Sequence, residues 1–187
     1  MPQPSVKSMT SAVALGMEPI QVAAATPRMA GAVAGDSASR AALDRLNAAV
    51  AELRAMAIQP ILQQAVAALQ ADDFRTGGDL AIKALEMDER NGFAWYLMAI
   101  ARERAGDFGL SVKCYESALA LLPDHAEVAN DLGRLAYRMG MVDTAEKLFA
   151  HYLVARPGSP EASNNLACAL RDQGRFADAL VVLRPAI

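Results

Sequence analysis

One interval governs this chain. Gly106, Gly140 and Gly174 stand 34 residues apart, as do Phe74, Phe108, Val142 and Phe176, Pro123 and Pro157, and Ser111, Ala145 and Ala179. Self-similarity at a fixed period of this length restricts a chain to an array of one stacked supersecondary unit. Each copy is too small to bury its own apolar face and must use its neighbours. The stretch 92–125 carries the marks most fully. Its small residue Ala99 falls where two helices can cross closely, Gly106 suits the positive φ that closes a first helix, and Pro123 stops a second because proline cannot donate into a continuing helix. Tyr115, Phe149 and Leu183, again at the common interval, supply the bulk that fills the space between units.

The residues at these places resemble the tetratricopeptide repeat, whose pattern is W-x2-L-G-x2-Y, then A-x3-F, then P. Unit 92–125 meets it with Trp95-x2-Met98-Ala99-x2-Arg102, Ser111-x3-Tyr115 and Pro123. Unit 126–159 is the cleanest copy, with Ala129-x2-Leu132-Gly133-x2-Ala136, Ala145-x3-Phe149 and Pro157. Unit 160–187 gives Ser163-x2-Leu166-Ala167-x2-Leu170 and Ala179-x3-Leu183, and stops before its proline. A degenerate unit, 58–91, precedes them, with Gly77-x3-Ala81, Asp72 in place of the turn glycine and Glu89 in place of the proline. The resemblance implies an all-α fold, a right-handed α-solenoid of helix-turn-helix pairs with an N-terminal capping helix. For function it implies a scaffold, since this family binds many unrelated things.

Before the repeats, residues 1–36 mix Pro2, Pro4, Pro19, Pro27, Gly16, Gly31 and Gly35 with alanines and lack a 3.6-residue period, so they read as a flexible leader. Over 37–57 the pattern changes. Leu43, Leu46, Val50, Leu53 and Ala57 recur at alternating spacings of three and four, which puts them on one stripe of a helix. Ser37 or Ser39 can cap its start, and Pro60 is expected to end it. Two readings stay open: this helix packs on the first repeat as a cap, or it joins two chains as a homodimer. The pairs that follow are expected at 61–70 with 74–88, 93–105 with 108–121, 127–139 with 142–155, and 161–173 with 176–187. The chain stops inside the last of these helices, with Leu170, Leu180 and Leu183 left to be covered, so the expectation is the N-terminal part of a longer protein or an end covered by a partner.

A formal net charge of -3 argues against a nucleic-acid surface built on bulk positive charge, and no basic run contradicts this. Cys114 and Cys168 have no metal-ligand spacing and read as free thiols in a reducing compartment. Residues 8–17 are free of charge, but Glu18 interrupts them, well short of the ~20 apolar residues of a membrane span. These signs place the protein in the cytoplasm with no membrane partner. His125 and His151 lack a nucleophile or acidic partner in a recognisable motif, and no glycine-rich phosphate loop is present. No catalytic residue, metal or cofactor is therefore expected within 1–187.

The family lines its groove with the second, fifth, sixth, ninth, twelfth and thirteenth residues of each first helix. Transferred here, this implies a largely apolar half made by Leu62, Val66 and Leu69 with Gln59, Gln63 and Gln70, then by Phe93, Tyr96, Leu97 and Ile100 with Glu103 and Arg104. The other half is polar: Glu127, Asn130, Asp131, Arg134, Tyr137 and Arg138, then Glu161, Asn164, Asn165, Cys168, Arg171 and Asp172. Tyr96, Leu97 and Ile100 would anchor apolar side chains of a client, while Asn130, Arg134, Asn164 and Asn165 would hold its backbone, amides being both donors and acceptors. The bland alternatives are packing within the array for the first half and ordinary solvated surface for the second. Tyr96, Leu97 and Ile100 stand where carboxylate-clamp repeats carry Lys, Arg and Asn, which disfavours that subtype. The run NNLACALRDQGRFADALVVL instead resembles the repeats before the catalytic region of O-linked N-acetylglucosamine transferases and related bacterial protein glycosyltransferases. Asn165 holds the place of their asparagine ladder, from which Asp131 and Leu97 depart. The expected function is a protein-binding module that recruits substrates, flagellin or another exported surface protein, to such an enzyme. The alternative is a free-standing adaptor or export chaperone that shields an amphipathic helix.

Overall fold

The periodic glycines and caps lay down eight helices and no strand among residues 36–184, which the computed structural model describes. They are α1 (Asp36–Gln70), α2 (Phe74–Met87), α3 (Gly92–Arg104), α4 (Phe108–Leu121), α5 (Ala126–Arg138), α6 (Val142–Ala155), α7 (Pro160–Asp172) and α8 (Phe176–Leu183). The leader, up to residue 35, and the last three residues lie outside the described part. The packing below belongs to the unit Ala41–Ile187.

Four first helices close in the same way. Gly106, Gly140 and Gly174 adopt φ of 82, 78 and 78°. The residue after each donates its N–H back five residues, from Asp107 to Arg102, Met141 to Ala136 and Arg175 to Leu170, all at 2.9 Å. This is the Schellman closure, which satisfies carbonyls that the helix end would orphan. The degenerate unit makes it too: Asp72 takes φ 59° and Asp73 donates to Ala68 at 2.9 Å. An aspartate tolerates the left-handed region better than most side chains, so loss of the consensus glycine leaves the turn intact.

Helix starts are less uniform. Asp73, Asn91, Asp107 and Ser159 accept from the N–H three residues on, whereas His125, Met141 and Arg175 give no side-chain cap. Met141 stands where Asp107 caps the previous unit, with the same backbone conformation: φ -84 and ψ 64° against φ -85 and ψ 71°. Met141→Asp is therefore expected to raise stability by about 1 kcal/mol. Urea denaturation followed by circular dichroism checks this, and an unchanged or lower midpoint would refute it.

Two apolar clusters form the core, and they meet at α5. Ile58, Leu62 and Ala65 of α1 join Ala81, Ala84 and Leu85, then Leu97, Met98, Tyr115, Val128, Leu132 and Leu135 in the first. Ala136, Ala145, Phe149, Leu166, Ala167, Leu170 and Ala179 make the second. Stacking thus runs without a break across the expected boundary between 121 and 127.

The N-terminal region departs from expectation in two ways. Pro60 does not end a helix, because α1 runs through it for 35 residues. The neighbours Ile58, Gln59 and Ile61 contain no turn former, and Met56, whose carbonyl loses its i+4 donor, is 72% exposed, so water can take the vacated bond. The expectation of a cap over the first pairs also fails. Carried along the axis of α1 instead of folding back, residues 41–57 are all exposed, with Leu43, Leu46, Val50 and Leu53 between 46 and 66% accessible.

Candidate protein-binding groove

Successive first helices are tied to one another by side chains exactly one repeat and one residue apart in sequence. The Tyr96 hydroxyl on α3 donates to Asp131 Oδ2 on α5 at 2.7 Å, and Arg138 on α5 donates to Glu103 Oε1 on α3 at 2.7 Å. Tyr137 on α5 donates in turn to Asp172 on α7. These bridges line α3, α5 and α7 up along one side of the solenoid, the side the first helices are expected to give to the groove.

Burial sorts the expected groove residues. Leu62, Leu97 and Asn130 are 5, 3 and 8% exposed and offer a client almost nothing; Leu62 and Leu97 belong to the core cluster instead. That corrects the assignment of Leu62 to the groove lining and of Leu97 to the client anchors, and the reason is the close packing of both side chains in the core cluster. Val66, Tyr96 and Ile100 are partly buried against the same cluster. Tyr96 also lies 6.0 Å from the Tyr115 ring and 5.5 Å from His125, so it acts first as a joint between repeats. Asp131 and Asn165 are half-buried, while Arg104, Arg134, Arg138, Asn164 and Arg171 are exposed.

Each of the exposed arginines has an acidic neighbour. Arg104 is 3.8 Å from Asp72, Arg134 is 3.3 Å from Asp131, Arg138 is 2.7 Å from Glu103 and Arg171 is 2.8 Å from Asp172. Arg104 and Arg138 also lie over the rings of Phe74 and Phe108. The pairs of Arg104 with Asp72 and of Arg171 with Asp172 are exposed and weak, ~0–1 kcal/mol each, so those cations can be recruited by another carboxylate at little cost, whereas the carboxylates of Asp131 and Glu103 are only 19 and 11% exposed. Two amide atoms here have no partner: Asn130 Oδ1 and Asn165 Nδ2 are buried without a hydrogen bond. Asn165 borders a cavity of about 180 Å³ with Arg134, Tyr137, Arg138, Phe149 and Cys168. Among the described residues no His, Cys, Asp and Glu cluster could hold a metal ion. No described helix is long and apolar enough to cross a membrane.

Burial pushes the Asp131 carboxyl above its ordinary 3.8, while the Tyr96 hydroxyl and Arg134 pull it back. The folded chain therefore holds this proton more tightly than the unfolded chain. The contribution of Asp131 to stability is most favourable below the unfolded value and is lost as pH rises through the folded one. Asp131→Asn keeps an acceptor for Tyr96 without the charge, so the variant should gain on the parent as pH rises from about 4 to 7. Melting temperatures across that range test the sign; a difference that shrinks with rising pH would contradict it.

The cross-repeat bridges escaped a reading based on repeat positions taken one at a time. Their signal is present nonetheless, as complementary residue types 35 apart: Tyr96 with Asp131, Glu103 with Arg138, and Tyr137 with Asp172.

Comparison with known proteins matches this geometry. The tetratricopeptide repeat model fits residues 96–160 and 130–187. A protein named FlbA from Caulobacter vibrioides is 47% identical over 178 residues, which is 95% of this chain and 30% of its own length. The chain thus spans less than a third of that relative. Among solved structures, MamA superposes with a TM-score of 0.64 at 17% identity, over 67% of this chain and 74% of its own. The first tetratricopeptide unit of Spaghetti, bound to an HSP90 peptide, gives 0.59 at 17% identity, over 63% of this chain and 95% of its own. At that identity both speak for the fold alone. An O-GlcNAc transferase from Thermobaculum terrenum gives 0.58 at 26% identity, over 63% of this chain and 22% of its own.

Proposed function

Because residues 96–187 are tetratricopeptide repeats, a protein-interaction scaffold, we propose that this chain captures a protein segment along the face of α3, α5 and α7 and delivers it to a protein glycosyltransferase. The observation that carries the capture is an unsatisfied amide, Asn165 Nδ2, on a half-buried side chain that borders a cavity of about 180 Å³. A buried amide without a partner costs about 1–3 kcal/mol, which a peptide group of a bound segment can recover. The exposed guanidinium groups of Arg134, Arg138 and Arg171 then favour clients with carboxylates, and Val66, Tyr96 and Ile100 offer partial apolar contact. Likeness to the transferase repeats at 26% identity, and to a relative more than three times the span matched here, supports attachment to an enzyme. An exported surface protein such as flagellin is the first client to try.

A second reading, an adaptor or export chaperone that shields an amphipathic helix, draws on a different place. A cavity of about 390 Å³ beside α8 is lined by Ala167, Cys168, Phe176, Ala179, Leu180 and Leu183, with Asn164 and Arg171 at its polar side, a mainly apolar surface with polar edges that suits an amphipathic helix.

The test is capture of flagellin by the immobilised chain, followed by calorimetry. Asn164→Ala with Asn165→Ala should weaken binding by about tenfold, ~1.4 kcal/mol, while helicity stays unchanged. Lys113→Ala, exposed on a second helix, should leave binding intact. Unchanged affinity in the double variant would refute the groove reading. Mass spectrometry of flagellin from cells with and without the protein then separates the readings, since loss of attached sugar belongs only to recruitment for glycosylation.

A further inference from the structure

The longest helix carries an apolar stripe that nothing in its own unit covers. The second helix of the first pair, α2, lies along residues 58–69 only: Ile58, Leu62 and Ala65 share its cluster, and a Cβ on Gly77 would strike Leu69 and come near the Ala65 carbonyl. At 1.5 Å per residue, the segment 43–57 extends about 21 Å further along the axis of α1. Its large apolar residues Leu43, Leu46, Val50 and Leu53 are 55, 59, 46 and 66% exposed. Their spacing is three and four in alternation, closed by Ala57. A period of 3.5 is the one that keeps a seam facing a second helix along a left-handed supercoil.

We propose that α1 is a dimerising helix, residues 43–57 of two copies of this chain pairing in parallel as a short two-stranded coiled coil. Three features select a second copy over an unrelated helix. With Leu43, Val50 and Ala57 at the a positions and Leu46 and Leu53 at d, the central layer has the β-branched a residue that, with leucine at d, favours two strands. The flanks suit a self-pair. Ala42 and Ala49 at g meet the partner's Asn47 and the partner's Arg54 at e, so no charge faces a like charge and the small alanines let the helices approach. The remaining charges, Asp44, Arg45 and Glu52, fall on the outer face. Charge also sets the direction: the antiparallel arrangement that aligns Leu43 with the partner's Leu53 would bring Arg40 beside the partner's Arg54. Finally, the pairing is isologous, each copy presenting the same stripe, the commonest way in which identical chains associate. This proposal does not depend on the groove.

Sedimentation velocity on the full chain, from about 1 to about 100 µM, should show the mass rise from 19.8 kDa to about twice that value. Leu46→Asp with Leu53→Asp should hold it at the monomer mass with the same melting temperature for the repeats, since both side chains are exposed in the single chain. In a Cys168→Ala background, Leu46→Cys should form an interchain disulfide on mild oxidation, as a parallel d layer requires. A monomer at every concentration overturns the proposal, and so does a dimer that survives the double substitution. Cross-linking between cysteines placed at 43 and 53, in place of 46 with 46, overturns the parallel direction. If the parent is monomeric and Leu46→Cys reacts with a maleimide only once residues 1–35 are removed, the stripe belongs to the chain's own leader and the proposal falls.

Discussion

Tyr115→Ala should lower stability by about 5 kcal/mol, at the upper end of the ~3–5 kcal/mol that loss of a fully buried aromatic side chain costs. Tyr115 is 1% exposed and sits in the cluster that joins the second repeat to the third. The extra weight comes from its hydroxyl. It donates to Glu103 Oε2 at 3.0 Å, and that same carboxylate receives Arg138 through Oε1. Burial and the neighbouring carboxylates hold the phenol well above its usual range, so it stays a donor throughout the accessible pH range. Removing the ring opens a cavity and strips Glu103 of one donor at once. Tyr115→Phe separates the two effects and should cost about 1 kcal/mol, the worth of the hydrogen bond alone. In a linear array each unit contacts only its neighbours, so the loss should also uncouple the two sides: urea unfolding by circular dichroism is expected to broaden or split. A loss below about 1 kcal/mol with an undivided transition would show that the joint is elsewhere.

The second large effect is at Phe149. Its ring is 1% exposed, and a Cβ built on Gly133 would lie 2.7 Å from Phe149 Cε1 and 3.3 Å from Leu148 Cβ. Gly133 is thus glycine because the ring occupies the place of a side chain, while its own backbone is ordinary helix. Phe149→Ala should cost about 3–5 kcal/mol and Gly133→Ala about 1–3 kcal/mol by overpacking. The two should not add. With the ring gone, the methyl group at 133 fills part of the void, so the double variant should be more stable than Phe149→Ala alone, with a coupling of about 1 kcal/mol or more. Additive losses would mean that residues 133 and 149 do not compete for the same space. In the next unit the equivalent positions hold Ala167 and Leu183, and there the smaller side chain is 49% exposed and lines an open cavity with Ala167.

Much of the architecture could be read from the chain because its determinants are local. Gly106, Gly140 and Gly174 announce a conformation that few other residues adopt, and Pro123 and Pro157 mark stops, so the boundaries of α3 to α7 fall within a residue or so of expectation. Pro60 misled because a proline is a weak stop by itself. Pro123 and Pro157 are followed by Asp124 and Gly158, whereas Pro60 stands among helix-compatible residues. The fate of the stripe on 43–57 could not be read either, since a heptad specifies that something packs on it without specifying what. Position within the repeat did not give the depth of each side chain. Leu97 is buried in an apolar cluster that includes Val128 and Leu132 of the next unit, a contact that depends on how tightly neighbouring units are stacked.

The bridges between first helices make the repeats non-interchangeable. Each bridge takes one residue from one unit and its complement from the next, so unit 126–159 answers to both sides, with Asp131 and Arg138 toward the unit before it and Tyr137 toward the unit after. Excising residues 126–159 would leave the helical period whole and bring Asp172 into the place of Arg138, against Glu103, with Asn165 arriving opposite Tyr96. An ion pair would become two facing carboxylates, although every glycine, cap and proline of the pattern was kept. Shuffling these units is therefore constrained by grammar as well as by spelling: a copy that is sound in itself can still be placed beside the wrong neighbour.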